Sequence, residues 1–406
     1  MTLVAKYYSK LRPIHPFPAR MAPSIVWRRL RRTQKRLRIL DPMAGSGTTI
    51  VASRLAGHEA VGFDTDPLAL LITRAWSSDV NPERLRKLAR RVLADATASC
   101  RSIPVRNAYP AKADDETRAF VRFWFDLTNR RQLAALSAAI AEVESSADRT
   151  LMWCAFSRLI ITKQAGASLA MDVSHSRPHR VFSTAPIKAL DRFLSAIEAV
   201  LRGSTFPAAA KLPRATIRKA DARKMPVGDE TFDLVITSPP YLNAIDYLRG
   251  HKFSLIWMGH QLEDIRKLRG RNVGAESSTA VVVTDDKFVD DILTRMGAGS
   301  LAGRTKATLA RYVRDMDRVL SETTRVLRPN GEAIFVIGDS TLAGTFVRNS
   351  RALAILGKRN GLQLQSTRRR PLAENRRYLP PPGLNASGPQ LRSRMREEVV
   401  LVFAKP

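Results

Sequence analysis

Two short strings in this 406-residue chain combine residue types that could do chemistry. The first is Asp41-Pro42-Met43-Ala44-Gly45-Ser46-Gly47-Thr48-Thr49. Its two glycines let a backbone bend tightly and approach a ligand where a Cβ would intrude. Amides at the start of a following helix would face that ligand. No lysine follows Gly47, which excludes a P-loop, and the missing third glycine disfavours a dinucleotide site. Asp64, closing the next strand, supplies a carboxylate able to accept hydrogen bonds from ribose hydroxyls. The second string is Thr237-Ser238-Pro239-Pro240-Tyr241. An amine on an aromatic base is a poor nucleophile because its lone pair is delocalised into the ring. Activating it takes acceptors that bind the amine hydrogens and draw the nitrogen toward tetrahedral geometry. The Ser238 side chain and the Pro239 carbonyl are such acceptors, and successive prolines aim them beforehand. Tyr241 offers a flat face for a base taken out of its stack.

Both strings need strand-to-helix junctions to hold them, and the flanking residues predict these. Arg38-Ile39-Leu40 is a short apolar run before the first string, and Thr48 to Leu55 follows at helical spacing. Gly57-His58 turns the chain into a strand over Glu59 to Asp64, and Asp66-Pro67 starts a helix over Leu68 to Ala75. The second block has strands at Thr216 to Asp221 and Phe232 to Thr237. A long helix over Leu309 to Val326, a turn at Pro329-Asn330-Gly331 and a strand over Glu332 to Gly338 follow. Glu397 to Phe403 reads as one member of a terminal antiparallel pair. The expected fold is α/β, a doubly wound Rossmann-like sheet with a mainly helical insert. Residues 1–79 form the first, cofactor-binding half, and 80–212 the insert, with helices over Arg84 to Ala94, Asp115 to Asp126, Arg131 to Val143 and Ala185 to Leu201. Residues 213–406 form the second half, interrupted by a smaller, polar, Gly-rich insert at about 259–303. Residues 380–390 read as a mobile loop.

Composition narrows the partner. Lys and Arg outnumber Asp and Glu by 67 to 37, a formal charge of +30 that attracts a polyanion regardless of its sequence. The basic residues cluster at 28–38, 84–91, 266–271 and 368–377. An Arg-rich genome would give the same bias with no partner implied, so charge alone leaves both explanations open. No apolar run is long enough to span a membrane, and the first twenty residues lack the pattern of a secretory signal. Cys100 and Cys154 have no metal-ligand spacing, so neither a disulfide nor a zinc site is expected. A cytoplasmic protein is the simplest expectation.

With both strings in hand, the chain resembles the amino-methylating DNA methyltransferases. Their glycine motif reads Asp-Pro-Phe-x-Gly-Ser-Gly-Thr and their catalytic motif (Asn/Ser/Asp)-Pro-Pro-(Tyr/Phe). Met43 stands where the family has Phe. The motifs cover about half the chain and explain neither insert; because the family varies in where its target-recognition region is inserted, 80–212 and 259–303 are the two candidates for reading DNA. The resemblance implies a class I fold and S-adenosyl-L-methionine as cofactor. It implies a cofactor site of Asp41, Pro42, Ala44, Gly45, Ser46, Gly47 and Thr48, with Gly45 and Gly47 along the methionine end and Asp64 on the ribose. Asp221 would lie beside the adenine amine, and Phe17, in His15-Pro16-Phe17-Pro18-Ala19-Arg20-Met21, would flank the pocket. Ser238, Pro239, Pro240 and Tyr241 would be catalytic, acting on double-stranded DNA with the target base flipped out. Transfer would be direct displacement, since no Pro-Cys motif supports a covalent route through a cytosine ring carbon. Serine at the first position of the catalytic motif resembles cytosine-N4 more than adenine-N6 enzymes. An adenine-N6 DNA methyltransferase, an RNA base methyltransferase and a non-catalytic nucleic-acid-binding protein with a degenerate fold are the alternatives. The intact strings argue against the last.

Other residues stay open. Asp172-Val173-Ser174-His175-Ser176-Arg177-Pro178-His179-Arg180 concentrates polar side chains in a short loop. It either lines the substrate cleft, contacts phosphates or is a solvated connection. Its two histidines lack further metal ligands. Asn243, Asp246, Tyr247 and Arg249 would sit near the base pocket or form a helix cap and surface pair, and Gly338-Asp339-Ser340 would rim the site. The oligomeric state, the recognition sequence and the choice between restriction–modification, phage protection and regulation are not legible.

Overall fold

The computed structural model describes residues 11–18, 20–204, 212–240, 246–274, 286–342, 344–372 and 397–406. Its strands are β1 (Arg38–Asp41), β2 (Glu59–Asp64), β3 (Ala215–Lys219), β4 (Phe232–Thr237), β5 (Leu327–Gly338), β6 (Gln363–Pro371) and β7 (Glu397–Ala404). They form one sheet in the order β3-β2-β1-β4-β5-β7-β6. The first five run parallel, and β7 lies antiparallel between β5 and β6. Strand β1 therefore has a partner from the first block on one side, with Ile39 beside Ala60, and one from the second block on the other, with Ile39 beside Leu234. The strand order reverses between β1 and β4, and in open α/β sheets ligands bind at the carboxyl ends of the strands at such a point.

Alternation along the central strands sends side chains to two apolar faces. Ile39, Leu234, Ile236, Ile334 and Val336 pack against α1 (Pro23–Leu30). Leu40, Val235, Ala333, Phe335 and Ile337 pack against α11 (Lys287–Arg295), α12 (Gly303–Val326) and α13 (Asn349–Arg359). Sheets buried on both faces read as near-continuous apolar runs, as β4 does. Outer strand β6 is the exception: it is exposed along most of its length and ends in Arg368-Arg369-Arg370-Pro371. Charge and proline on an edge discourage pairing with another chain.

Helices α2 (Thr48–Leu55) and α3 (Pro67–Ser77) follow β1 and β2. The large insert then contributes α4 (Pro82–Cys100), α5 (Asp115–Trp124), α6 (Leu127–Ala141), α7 (Ser146–Ile160) and α8 (Ala189–Ser204). It is not a separate body. Its buried residues form one apolar cluster with α2, α3 and α9 (Tyr247–Leu255). Buried Trp76 of α3 donates its indole N–H to Gly203 O of α8 at 3.0 Å. A Cβ on Gly203 would lie 2.6 Å from Ile14 Cγ2, so α8 and the N-terminal segment meet backbone to side chain.

Three details differ from the sequence expectation. Helix α7 has no counterpart in it: nine of its fifteen residues are buried, so it shows no apolar stripe for periodicity to detect. The expected turn at Pro329-Asn330-Gly331 is a bulge inside β5, with Asn330 at φ 61° and its N–H donated to Lys405 O. The smaller insert, expected to be polar and Gly-rich, carries helices α10 (Leu262–Arg271) and α11. Among the described residues no helix is long and apolar enough to cross a membrane.

Candidate active site

The carboxyl ends of β1, β2, β3 and β4 open into a cavity of about 470 Å³, within the range of small-molecule sites. Its lining includes Asp41, Pro42, Ala44, Gly45, Ser46 and Thr48 from the first string, Asp64 after β2, Asp221 after β3, and Ser238 and Pro240 after β4. Phe17, Arg20 and Met21 close it from the N-terminal side.

Gly45 adopts φ +51°, and the Phe17 ring stands 3.5 Å from where a Cβ would be. Gly47 does not line the cavity. At φ +87° it precedes α2, and a Cβ there would meet Thr73 of α3 at 3.0 Å. Its requirement is thus helix packing, with Thr73 Oγ1 donating to Gly45 O at 2.9 Å to brace the turn. Asp64 accepts the Gly45 N–H on one oxygen (2.8 Å) and the Asp66 N–H on the other (2.9 Å). Each carboxylate oxygen keeps a further lone-pair site for a ligand hydroxyl. Burial, reinforced by the neighbouring Asp66, pushes the Asp64 carboxyl up to about 7 against the pull of those amides. Burial likewise raises Asp41 to about 6. Asp221 is handled differently. Burial opposes its charge, but Arg223 chelates both its oxygens, with Nη2 at 2.7 Å, and holds it below the usual carboxylate range.

Ser238 donates its hydroxyl proton to Val336 O at 3.0 Å. A hydroxyl whose proton is committed to a carbonyl meets a further polar group as an acceptor. Pro239 is buried and Pro240 faces the cavity. Tyr241 and Asn243 lie outside the described residues, as do 380–390 and Arg377. Of the residues next downstream, Asp246 and Tyr247 line the cavity, and Arg249 pairs with Asp246. Asp339, expected at the rim, instead accepts the Ser350 N–H (2.9 Å) and hydroxyl (3.0 Å) at the start of α13.

Several contacts of the site had no signal in the sequence. Thr65 donates to Asn272 Oδ1 at 3.0 Å, which ties the end of α10 to the cofactor half. Arg269 pairs with Asp246, and Arg223 reaches both Asp315 and the Arg271 carbonyl. The smaller insert thereby roofs the cavity with Arg269, Arg271, Asn272, Val273 and Gly274. Beneath it, His251 Nδ1 lies 2.5 Å from Asp66 Oδ2, both buried, and Tyr247 stacks on Phe17 at 5.2 Å. Among the described residues no residue of 80–212 lines the cavity, and no three His, Cys, Asp or Glu side chains converge as metal ligands.

The donor set fits the cofactor that the motifs imply. A tight glycine turn bares backbone, Asp64 offers acceptors to a ribose, Asp221 an acceptor beside a base amine, and Arg20 a cation for an amino-acid carboxylate.

No protein-family model matches the chain. The type II methyltransferase M.MvaI of Kocuria varians is 25% identical over 364 residues, which cover 81% of this chain and 76% of that one. The type II methyltransferase M.BsoBI of Geobacillus stearothermophilus is 24% identical over 264 residues, 57% of this chain and 49% of that one. Among solved structures, a SAM-dependent methyltransferase from Methanosarcina mazei overlaps with a TM-score of 0.32 at 8% identity, covering 92% of this chain and 94% of its own. A TehB-like SAM-dependent methyltransferase from Corynebacterium glutamicum gives 0.30 at 10% identity, covering 99% and 96%. The two motif strings and the extent of the match make the chain similar to the type II DNA methyltransferases.

Proposed function

We propose that the chain transfers a methyl group from S-adenosyl-L-methionine to the exocyclic N4 amine of cytosine in duplex DNA, with the target base turned out of the stack. The observation that carries this reading is the shared cavity. Asp41, Gly45, Ser46 and Thr48 of the first string and Ser238 and Pro240 of the second, about 190 residues apart, line one space.

The cofactor supplies an electrophilic methyl on a sulfonium. Asp64 would hold the ribose, Asp221 would meet the adenine edge, and Phe17 with the Gly45 turn would border the methionine end, all four lining the cavity. On the substrate side, the Ser238 oxygen and the Pro239 carbonyl accept the amine hydrogens, which frees the nitrogen lone pair from the ring. The nitrogen would bond to the methyl as the cofactor's carbon–sulfur bond broke, and the surplus proton would leave the amine for water. Tyr241 supplies the flat face against the base. Serine at position 238 supports cytosine over adenine, by resemblance to cytosine-N4 enzymes.

Transfer of labelled methyl to unmethylated genomic DNA and to total RNA, followed by nucleoside mass spectrometry, tests this reading. N4-methylcytosine in DNA is the expected product. N6-methyladenine would move the target base and leave the chemistry in place, whereas label confined to RNA would overturn the substrate.

A further inference from the structure

We propose that the segment Asp172–Arg180 of the large insert is a phosphate-contacting surface that holds duplex DNA beside the base cavity. The proposal rests on the reading that DNA is the substrate.

The segment is built, not a solvated connection. Met171 and Ala170 pair antiparallel with His179 and Arg180, and the Val181 N–H reaches Leu169 O at 3.0 Å. Between the two short strands the chain makes a tight turn, with Asp172 and Ser176 both at φ 55°. Few residues other than glycine adopt that conformation without support from their surroundings. The support here is α9. Val173, Ser174 and Ser176 are buried, and the Val173 carbonyl lies 2.4 Å from where a Cβ on Gly250 would stand. Only glycine allows α9 to approach so closely. The first residue of α9, Tyr247, and the preceding Asp246 line the cavity. The segment thus sits within one helical turn of the place where the base would enter.

Its other side faces out and is cationic. Arg177, His179 and Arg180 are exposed. Neither arginine has an acidic partner among the described residues, and Asp172 is occupied by His175. The basic clusters that stand out in the sequence are partly tied up by contrast. Arg84 and Arg86 bind Asp148 and Glu198, Arg266 binds Glu116, and Arg369 and Arg370 bind Glu397 and Glu398. Beside the segment an apolar step is exposed, formed by Phe123 and Val181, each 51% accessible, with the Arg180 guanidinium 5.1 Å from the Phe123 ring centre. Unpaired arginines next to an aromatic step match a polyanion that also offers sugar and base edges. They do not match an acidic protein surface, which would not require the base cavity alongside.

The test is binding of a short fluorescent duplex of mixed sequence to the full chain across a salt series. The Arg177→Ala/Arg180→Ala double variant should bind about tenfold more weakly and lower the slope of log affinity against log salt by about 1 to 2, with cofactor affinity unchanged. Arg177→Lys/Arg180→Lys should restore the slope. Phe123→Ser should weaken binding at every salt concentration and leave the slope alone. Arg295→Ala, whose partner is Asp291 on the same helix, should change neither. An unchanged slope in a double variant that binds cofactor normally would overturn the proposal while wild-type methylation of DNA stood. Failure of the wild-type chain to bind any duplex would remove the underlying reading as well.

Discussion

The two inserts solve opposite problems. The large one, residues 80–212, shares an apolar core with the cofactor half and α9, yet none of its described residues reaches the cavity. The smaller one buries α11 in the apolar core beside β1, but its cavity-facing stretch, residues 269–274, is held largely by polar groups, among them Asn272 on Thr65 of the cofactor half and, in the second half, Arg269 on Asp246 and the Arg271 carbonyl on Arg223. It lies directly over the cavity. Bulk burial therefore supports the site from a distance, while a few hydrogen-bonded side chains roof it. The first is costly to disturb and does not touch the cavity's contents. The second is cheap to disturb and registers in binding.

Substitutions can break or sharpen that contrast. Trp76→Ala removes the largest side chain joining α3 to the large insert and should cost about 3 to 5 kcal/mol. Denaturant unfolding should remain a single transition; two separated transitions would show that the insert folds by itself. Gly250→Ala drives a Cβ into the Val173 carbonyl and should cost about 3 kcal/mol, the upper end for overpacking, again read in unfolding. Asp64→Ala should weaken cofactor binding about tenfold, the worth of roughly 1.5 kcal/mol from a charge-assisted hydrogen bond, measured by titration calorimetry. Because Asp64 is held near 7, wild-type cofactor affinity should rise from about pH 6 to about pH 8 as the carboxylate ionises, and the variant should lose that rise. The unliganded protein moves the other way. Its carboxyl binds protons more tightly folded than unfolded (about 3.9), so this contribution to stability is lost as pH climbs from about 4 through 7. Asn272→Ala should give the smallest effect, a few-fold loss of cofactor affinity from one neutral hydrogen bond of about 1 kcal/mol, with unfolding unchanged. A large stability loss there would erase the distinction between the inserts.

Local signals were the legible part. Helix α2 and strands β2 and β4 lie where apolar spacing, Gly57-His58 and the Pro-Pro stop put them. The residues of both strings could be named because their types are dictated by backbone approach and by acceptor chemistry. What escaped was tertiary. Helix α7 is buried on nearly every side and so has no period. Asn272 and Arg269 matter only because α10 folds back over the cavity, and nothing beside them in the chain encodes that. Gly47 was placed on the ligand although its constraint comes from Thr73, a contact between two helices that spacing does not reveal. Asp66 was visible as the start of α3, but its hydrogen bond with His251 joins positions 185 apart.

The position of β1 has a consequence for synthesis of the chain. Its first neighbour, β2, emerges about twenty residues later, but its second, β4, follows only after the whole large insert. Until then one edge of the central strand stays unpaired and half of the cavity wall is missing. Long-range pairings of this kind slow folding, because the intervening chain must be ordered before they can form. The complete cavity, with its Ser238 and Pro240 wall, exists only once residue 237 has joined the sheet. Pairing of β1 with β4 should be the late, committing step, and the early half should depend on burying its helices to avoid aggregation while it waits.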